Sequence, residues 1–198
     1  MKKIGCGVAV AILIVIIGAI LWGVGVYNKL VTLDEKVMQQ WSQVENQYQR
    51  RADLIPNLVE TVKGVAKFEK ETYTAVTEAR AKVNQIKLTP EMLSDPNAFQ
   101  KFQAAQDGLS SALSRLLVTV ERYPELKANE NFLQLQAQLE GTENRIAVER
   151  RKFNKVVQEY NTTIRRFPAN FIANMTGFRE KQYFKSVEGS EKPPKVQF

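Results

Sequence analysis

The pattern of apolar and polar positions divides the chain in two. From Ile4 to Tyr27 no charged residue occurs. At about 1.5 Å rise per residue, such a run is long enough to span the hydrocarbon core of a bilayer as one helix. From Leu30 onward apolar residues return three and four positions apart. Val37, Trp41, Val44 and Tyr48 lead into Ile55, Leu58, Val62 and Val65, then Val76, Ala79, Val83 and Ile86. A further stripe holds Phe99, Phe102, Leu109, Leu113, Leu116 and Val120. The last runs from Phe132 through Leu139, Ile146, Phe153 and Tyr160 to Phe167. Alternation at period two is nowhere sustained, so the fold class is all-α, with helices that each bury one face.

Punctuation divides this region into four helices, expected at about 28–51, 54–87, 97–122 and 129–167. Asp95-Pro96 supplies an N-cap followed by proline at the first helical position, and Tyr123-Pro124 and Phe167-Pro168 mark stops. Short connections imply antiparallel neighbours, hence an antiparallel up-and-down four-helix bundle behind an N-terminal transmembrane helix. The boundary between the first two helices is the difficult one. Trp41, Tyr48, Ile55 and Val62 keep a spacing of seven straight through Pro56. A single kinked helix over 28–87 would be about 90 Å long, while 97–122 spans only about 39 Å. A break near Ala52 balances the lengths. It makes Asp53 an N-cap and places Pro56 in a first turn, where its missing N–H leaves no bond unmade. The kinked single helix remains the rival reading.

The domain boundaries that follow are 1–27 for the span, 28–167 for the bundle, 168–185 for a membrane-proximal aromatic and basic segment, and 186–198 for a flexible polar tail. The apolar run is too long for an ordinary signal peptide. Lys2 and Lys3 slightly outweigh Lys29 and Lys36 as flanking charge, which favours an N-terminus in the cytoplasm and a bundle outside it. Small residues four apart, such as Ala19 and Gly23, allow helix contacts within lipid.

Composition removes most chemistry. Among 198 residues there is no His and one Cys. Imidazole-based triads, His pH switches, disulfides within the chain and Cys or His zinc sites are therefore closed. The Glu-x-x-His pattern of di-iron bundles is also closed, so neither metal nor cofactor is expected. No nucleophile elbow or Gly-rich phosphate loop is present. The net charge of +7 is spread along helices that alternate sign, which argues for solvated faces and against nucleic acid as a partner.

The candidate residues are accordingly structural or interactive. In "NQYQRRADLIPNLVETVKG", Arg50, Arg51, Asp53 and Pro56 read as a capped corner at the membrane-distal end, or as a point where a partner binds. Glu149 lies on the core stripe of the last helix and needs a partner if buried. Together with Glu35, Glu69 and Arg145 it is the candidate for a salt-bridge layer that sets helix register. Phe171 and Phe178 lie in "FPANFIANMTGFREKQYF", where aromatic and basic residues combine as they do at membrane interfaces, or as a flap that closes the end of the bundle.

Three stretches, "YNKLVTLDEKVMQQWSQVENQYQRRADLIPNLVETVKG", "LEGTENRIAVERRKFNKVVQEYN" and "FPANFIANMTGF", closely resemble the LemA family of bacterial membrane proteins. The resemblance covers nearly the whole chain. It implies a four-helix bundle behind one span, and brings no established enzymatic activity with it. The expectation is a non-catalytic, membrane-anchored scaffold or self-assembling organiser, with the lipid bilayer, further copies of itself and a membrane protein as partners. The alternative is a regulatory subunit of a membrane enzyme or signalling complex.

Overall fold

The computed structural model describes residues 2–65 and 69–185, with side chains from residue 11 onward; the tail expected at 186–198 lies outside the described residues. Among the described residues every regular element is helical. They are α1 (Lys2–Lys63), α2 (Lys70–Asn84), a 3-10 turn (Pro90–Ser94), α3 (Pro96–Val120), the single turn α4 (Pro124–Lys127), α5 (Glu130–Arg165) and α6 (Ala169–Thr176).

The first boundary differs from expectation. α1 is one helix of 62 residues that carries the apolar span and runs unbroken through Ala52 and Pro56. Pro56 has no N–H to give, so the carbonyl of Ala52 loses its helical donor. Ala52 is 8% exposed, and an orphaned carbonyl there would be costly. The guanidinium of Arg80, reaching across from α2, donates Nε–H to that carbonyl at 3.1 Å. The helix therefore keeps its proline because a neighbouring helix satisfies the group it frees. Asp53 caps nothing: it is exposed and accepts from Gln49 of the preceding turn at 2.8 Å. The chain turns instead beyond Gly64, where the backbone N–H groups of Gly64 and Val65 close the last turn on Glu60 and Val62.

With the turn there, the length objection disappears. Residues 30–63 of α1 and the 36 residues of α5 are each about 50 Å long and lie side by side. Contacts between the helices fix the directions. Arg51 meets Glu143 while Tyr48 meets Arg150, so α5 runs opposite to α1. Trp41 meets Phe99 while Arg51 meets Gln106, so α3 runs with α1. α2 is only 15 residues and pairs with α3 and the distal part of α1. Asp95 caps α3 by accepting from the N–H groups of Asn97 and Ala98, and Asn129 caps α5 through the N–H of Phe132.

Two cores result. The membrane-proximal one is aromatic, gathering Trp41, Tyr48, Phe99, Phe102, Phe153 and Phe184. The distal one is mainly aliphatic, with Ile55, Leu58, Val62, Leu109, Leu116 and Leu139. Gly108 and Gly141 are not close-packing positions, since a Cβ at either would meet nothing within 4 Å.

Candidate functional site

Arg51, expected at a corner, lies between the two cores and is 1% exposed. Its Nη1 donates to Ser110 Oγ at 2.6 Å and to Glu143 Oε1 at 2.7 Å, and its Nη2 donates to the side-chain oxygen of Gln106. Glu143 is 36% exposed, so the pair couples a dry cation to a hydrated carboxylate. The Tyr48 ring lies beneath, 5.3 Å from the Arg51 guanidinium and 5.6 Å from that of Arg150. Arg150 donates to the Tyr48 hydroxyl at 2.6 Å and to Asp107 at 3.0 Å. Burial pushes the Tyr48 hydroxyl up to about 12, so at neutral pH it is an uncharged acceptor.

This is a polar layer built from residues other than those expected. Glu35, Glu69 and Arg145 are exposed, and Glu69 pairs with Arg122 at 3.1 Å in the loop region. Glu149 is partly buried and binds Lys152 and Gln40 at the surface of the α1–α5 seam. The hydrogen bond from Lys152 comes first in holding its carboxyl below the usual range. Arg50, next to Arg51 in sequence, points to solvent. The signal for Arg51 was available: it sits three residues after Tyr48 and four before Ile55, on the buried stripe. Gln106 and Glu143 carried the same signal, each four residues after a stripe residue, Phe102 or Leu139, and three before the next, Leu109 or Ile146; Ser110, beside the stripe, carried none.

Chemically, the layer holds register. Each of its carboxylates is committed to a guanidinium, and no cluster of His, Cys, Asp or Glu among the described residues could hold a metal ion. Beside the layer, α3 and α5 stand apart. A groove of about 1100 Å³ opens between them, lined by Asp107, Ser110, Ser114, Glu143, Arg150 and Asn154.

The second unexpected feature is residues 177–185. Gly177 adopts φ +81 and ends α6, and the chain then runs extended along the outside of the proximal core. Phe178 packs on Tyr27 and Phe184 on Trp41, at 6.0 and 6.2 Å between centroids. Fourteen residues of α1 cover about 21 Å, which the six steps of this strap match only when fully extended. Carboxamides hold it. Asn161 donates to the Lys181 carbonyl and accepts from its N–H, at 2.8 and 2.9 Å. Asn154 does the same for Phe184, and Gln103 for Lys185. Each side chain thus presents a donor and an acceptor as a neighbouring strand would. The Gln182 N–H bonds the Leu93 carbonyl at 2.7 Å. Of the two expected membrane-segment residues, Phe178 is half-buried under this arrangement and Phe171 is 65% exposed.

Among the described residues, these features define an all-helical protein with a single apolar helix long enough to cross a membrane, continuous with the spine of its domain. The chain belongs to the LemA family, whose model matches residues 40–198. It is similar to magnetosome protein MamQ 2 of Paramagnetospirillum magneticum, 28% identical over 183 aligned residues that cover 84% of this chain and 67% of that protein. MamQ of Magnetospirillum gryphiswaldense matches to the same extent. Protein LemA of Metamycoplasma hominis is 24% identical over 165 residues, covering 83% of this chain and 71% of its own. None of these names denotes an enzymatic activity.

Proposed function

We propose that this protein is a membrane-anchored interaction scaffold that assembles with further copies of itself and organises membrane-associated partners without catalysing a reaction. One observation carries the reading: span and domain share a single uninterrupted helix about 90 Å long. A flexible linker would let the domain diffuse about its anchor. A continuous helix instead presents the domain at a set height and orientation above the bilayer, as an organiser requires. The family relation and the relatives named as magnetosome proteins support a membrane-associated, non-catalytic role. In this reading α1, α2, α3 and α5 act together as an antiparallel four-helix bundle. The domain lies on the extracytoplasmic side, as the flanking lysines favour. The bilayer and copies of the chain are its partners, and nucleic acid is not.

In-cell crosslinking with mass spectrometry tests the assignment. Crosslinks between copies of this chain are the expected result. One foreign membrane protein dominating the crosslinks, with none between copies, overturns it in favour of a regulatory subunit.

A further inference from the structure

α6 is the shortest helix beside the membrane end of the molecule, and its placement is unlike that of the rest. Residues 167–178 contain no charge, while Arg165 and Arg166 precede them and Arg179 follows, ahead of Glu180, which pairs with Arg165 at 3.8 Å, and Lys181, which pairs with Asp34 at 3.0 Å. α6 lies partly against the apolar span, with Ile172 and Met175 beside Ile20 and Gly23, while its Ala173 joins the proximal core. Ile172 lies beside Gly23: a Cβ at Gly23 would sit in ordinary contact, 3.7 Å from Ile172 Cδ1. Gly23 is about 6 Å below Tyr27 along the helix, toward the centre of the apolar run. Between the two helices is a notch of about 470 Å³ lined by Ile20, Gly23, Val24, Ile172 and Met175.

The faces of α6 differ in exposure, and the exposed one carries Asn174 beside its apolar side chains. At about 100° per residue, Ala173 is opposite Phe171 and Met175. Ala173 is 2% exposed and faces the domain, whereas Phe167, Phe171 and Met175 are 86%, 65% and 71% exposed and face away from it. The backbone is also prepared for a setting without water. The Phe178 N–H returns to the Ala173 carbonyl at 3.0 Å, and the Thr176 hydroxyl donates to the Ile172 carbonyl at 2.7 Å.

We infer that α6 is a second membrane element: it inserts beside the span, with Phe167, Phe171 and Met175 in the acyl region and a lipid chain in the notch against α1. This rests on α1 spanning the bilayer. Lipid is the occupant because the exposed face is continuous with the apolar surface of the span, and because arginines bracket the uncharged stretch at both ends, where phosphate headgroups lie. Insertion gives the domain a second point of attachment and so fixes its rotation about the axis of α1.

The full chain with Cys6→Ser is labelled with an environment-sensitive fluorophore at single cysteines in vesicles of phosphatidylcholine and phosphatidylglycerol. F171C and M175C probe α6, I20C probes the span, and V118C probes the exposed distal surface. The F171C and M175C signals are expected to be blue-shifted and to lose about half or more as much intensity to acyl-chain quenchers as I20C does, with V118C unaffected. Quenching at I20C with none at F171C and M175C overturns the inference while leaving the span intact. A face that is unquenched yet crosslinks between copies assigns it to self-association instead. Absence of quenching at I20C removes the span and the inference with it.

Discussion

The two halves of the domain enclose their cores differently. In the distal half, α2 lies against α1 and α3 and the core is mainly aliphatic. In the proximal half α2 has ended. The fourth side is closed by the 3-10 turn and the strap, joined where Gln182 meets Leu93, and the core is aromatic. A helix brings its own backbone hydrogen bonds and can seal a core with aliphatic side chains alone. An extended segment brings none, so its N–H and C=O groups must be met from outside. Asn154, Asn161 and Gln103 meet them, and Phe184 supplies the apolar wedge. Arg51 and its partners form the border between these two solutions.

The comparison can be broken most severely at the wedge. Phe184→Ala is expected to cost about 3–5 kcal/mol in chemical denaturation, because it empties the centre of the aromatic cluster. Hydrogen exchange should then show faster exchange at the Lys181 and Phe184 amides, while the distal helices stay protected. Equal acceleration in both halves would mean the cores are not separable.

At the border the effects should be asymmetric. Glu143→Ala leaves Arg51 charged and dry and is expected to cost about 3 kcal/mol. Arg51→Met leaves Glu143 able to hydrate and should cost less than about 1.5 kcal/mol. Equal losses at constant denaturant m-value would show that the two groups are equally solvated.

In the distal half, Arg80→Met removes the donor to the Ala52 carbonyl and should cost about 1–2 kcal/mol. The same change in a Pro56→Ala background should cost less, because the helix regains its own bond. A double-mutant cycle with no coupling energy would dissociate Arg80 from the proline.

Alkaline unfolding probes Tyr48. Its folded value of about 12 lies above the ordinary tyrosine value of about 10, so its contribution is complete below the lower value and is lost as pH rises through the higher. Tyr48→Phe should flatten that alkaline slope. The smallest effect is a gain: Gly108→Ala, with open space at its Cβ, should stabilise α3 by about 0.5–1 kcal/mol.

The apolar span, the helical class and the stripes were legible in the residues because each depends on local periodicity. The caps at Asp95 and Asn129 are equally local, each side chain meeting N–H groups two or three residues on. The seven-residue spacing through Trp41, Tyr48, Ile55 and Val62 was also a true signal of continuity. The expected break at Ala52 set it aside because one helix over 28–87 would outrun its neighbours and because Pro56 suits a first turn; the helix instead ends at Lys63, and the residue that lifts the proline's penalty, Arg80, is 28 positions from Ala52. The strap was illegible for a related reason. An extended segment has no helical period, and this one does not alternate either; its partners are carboxamides on α3 and α5 that read as ordinary surface residues.

By itself the sequence determined that the fold is helical, where the apolar stripes run, and that one helix suits a bilayer. Those properties follow from spacing along a single chain. Only the tertiary structure decided where α1 ends, that Arg51 is interior, and that residues 177–185 close the proximal core. Each of these depends on a polar group being satisfied by a side chain distant in sequence, and that pairing exists only once the helices have packed.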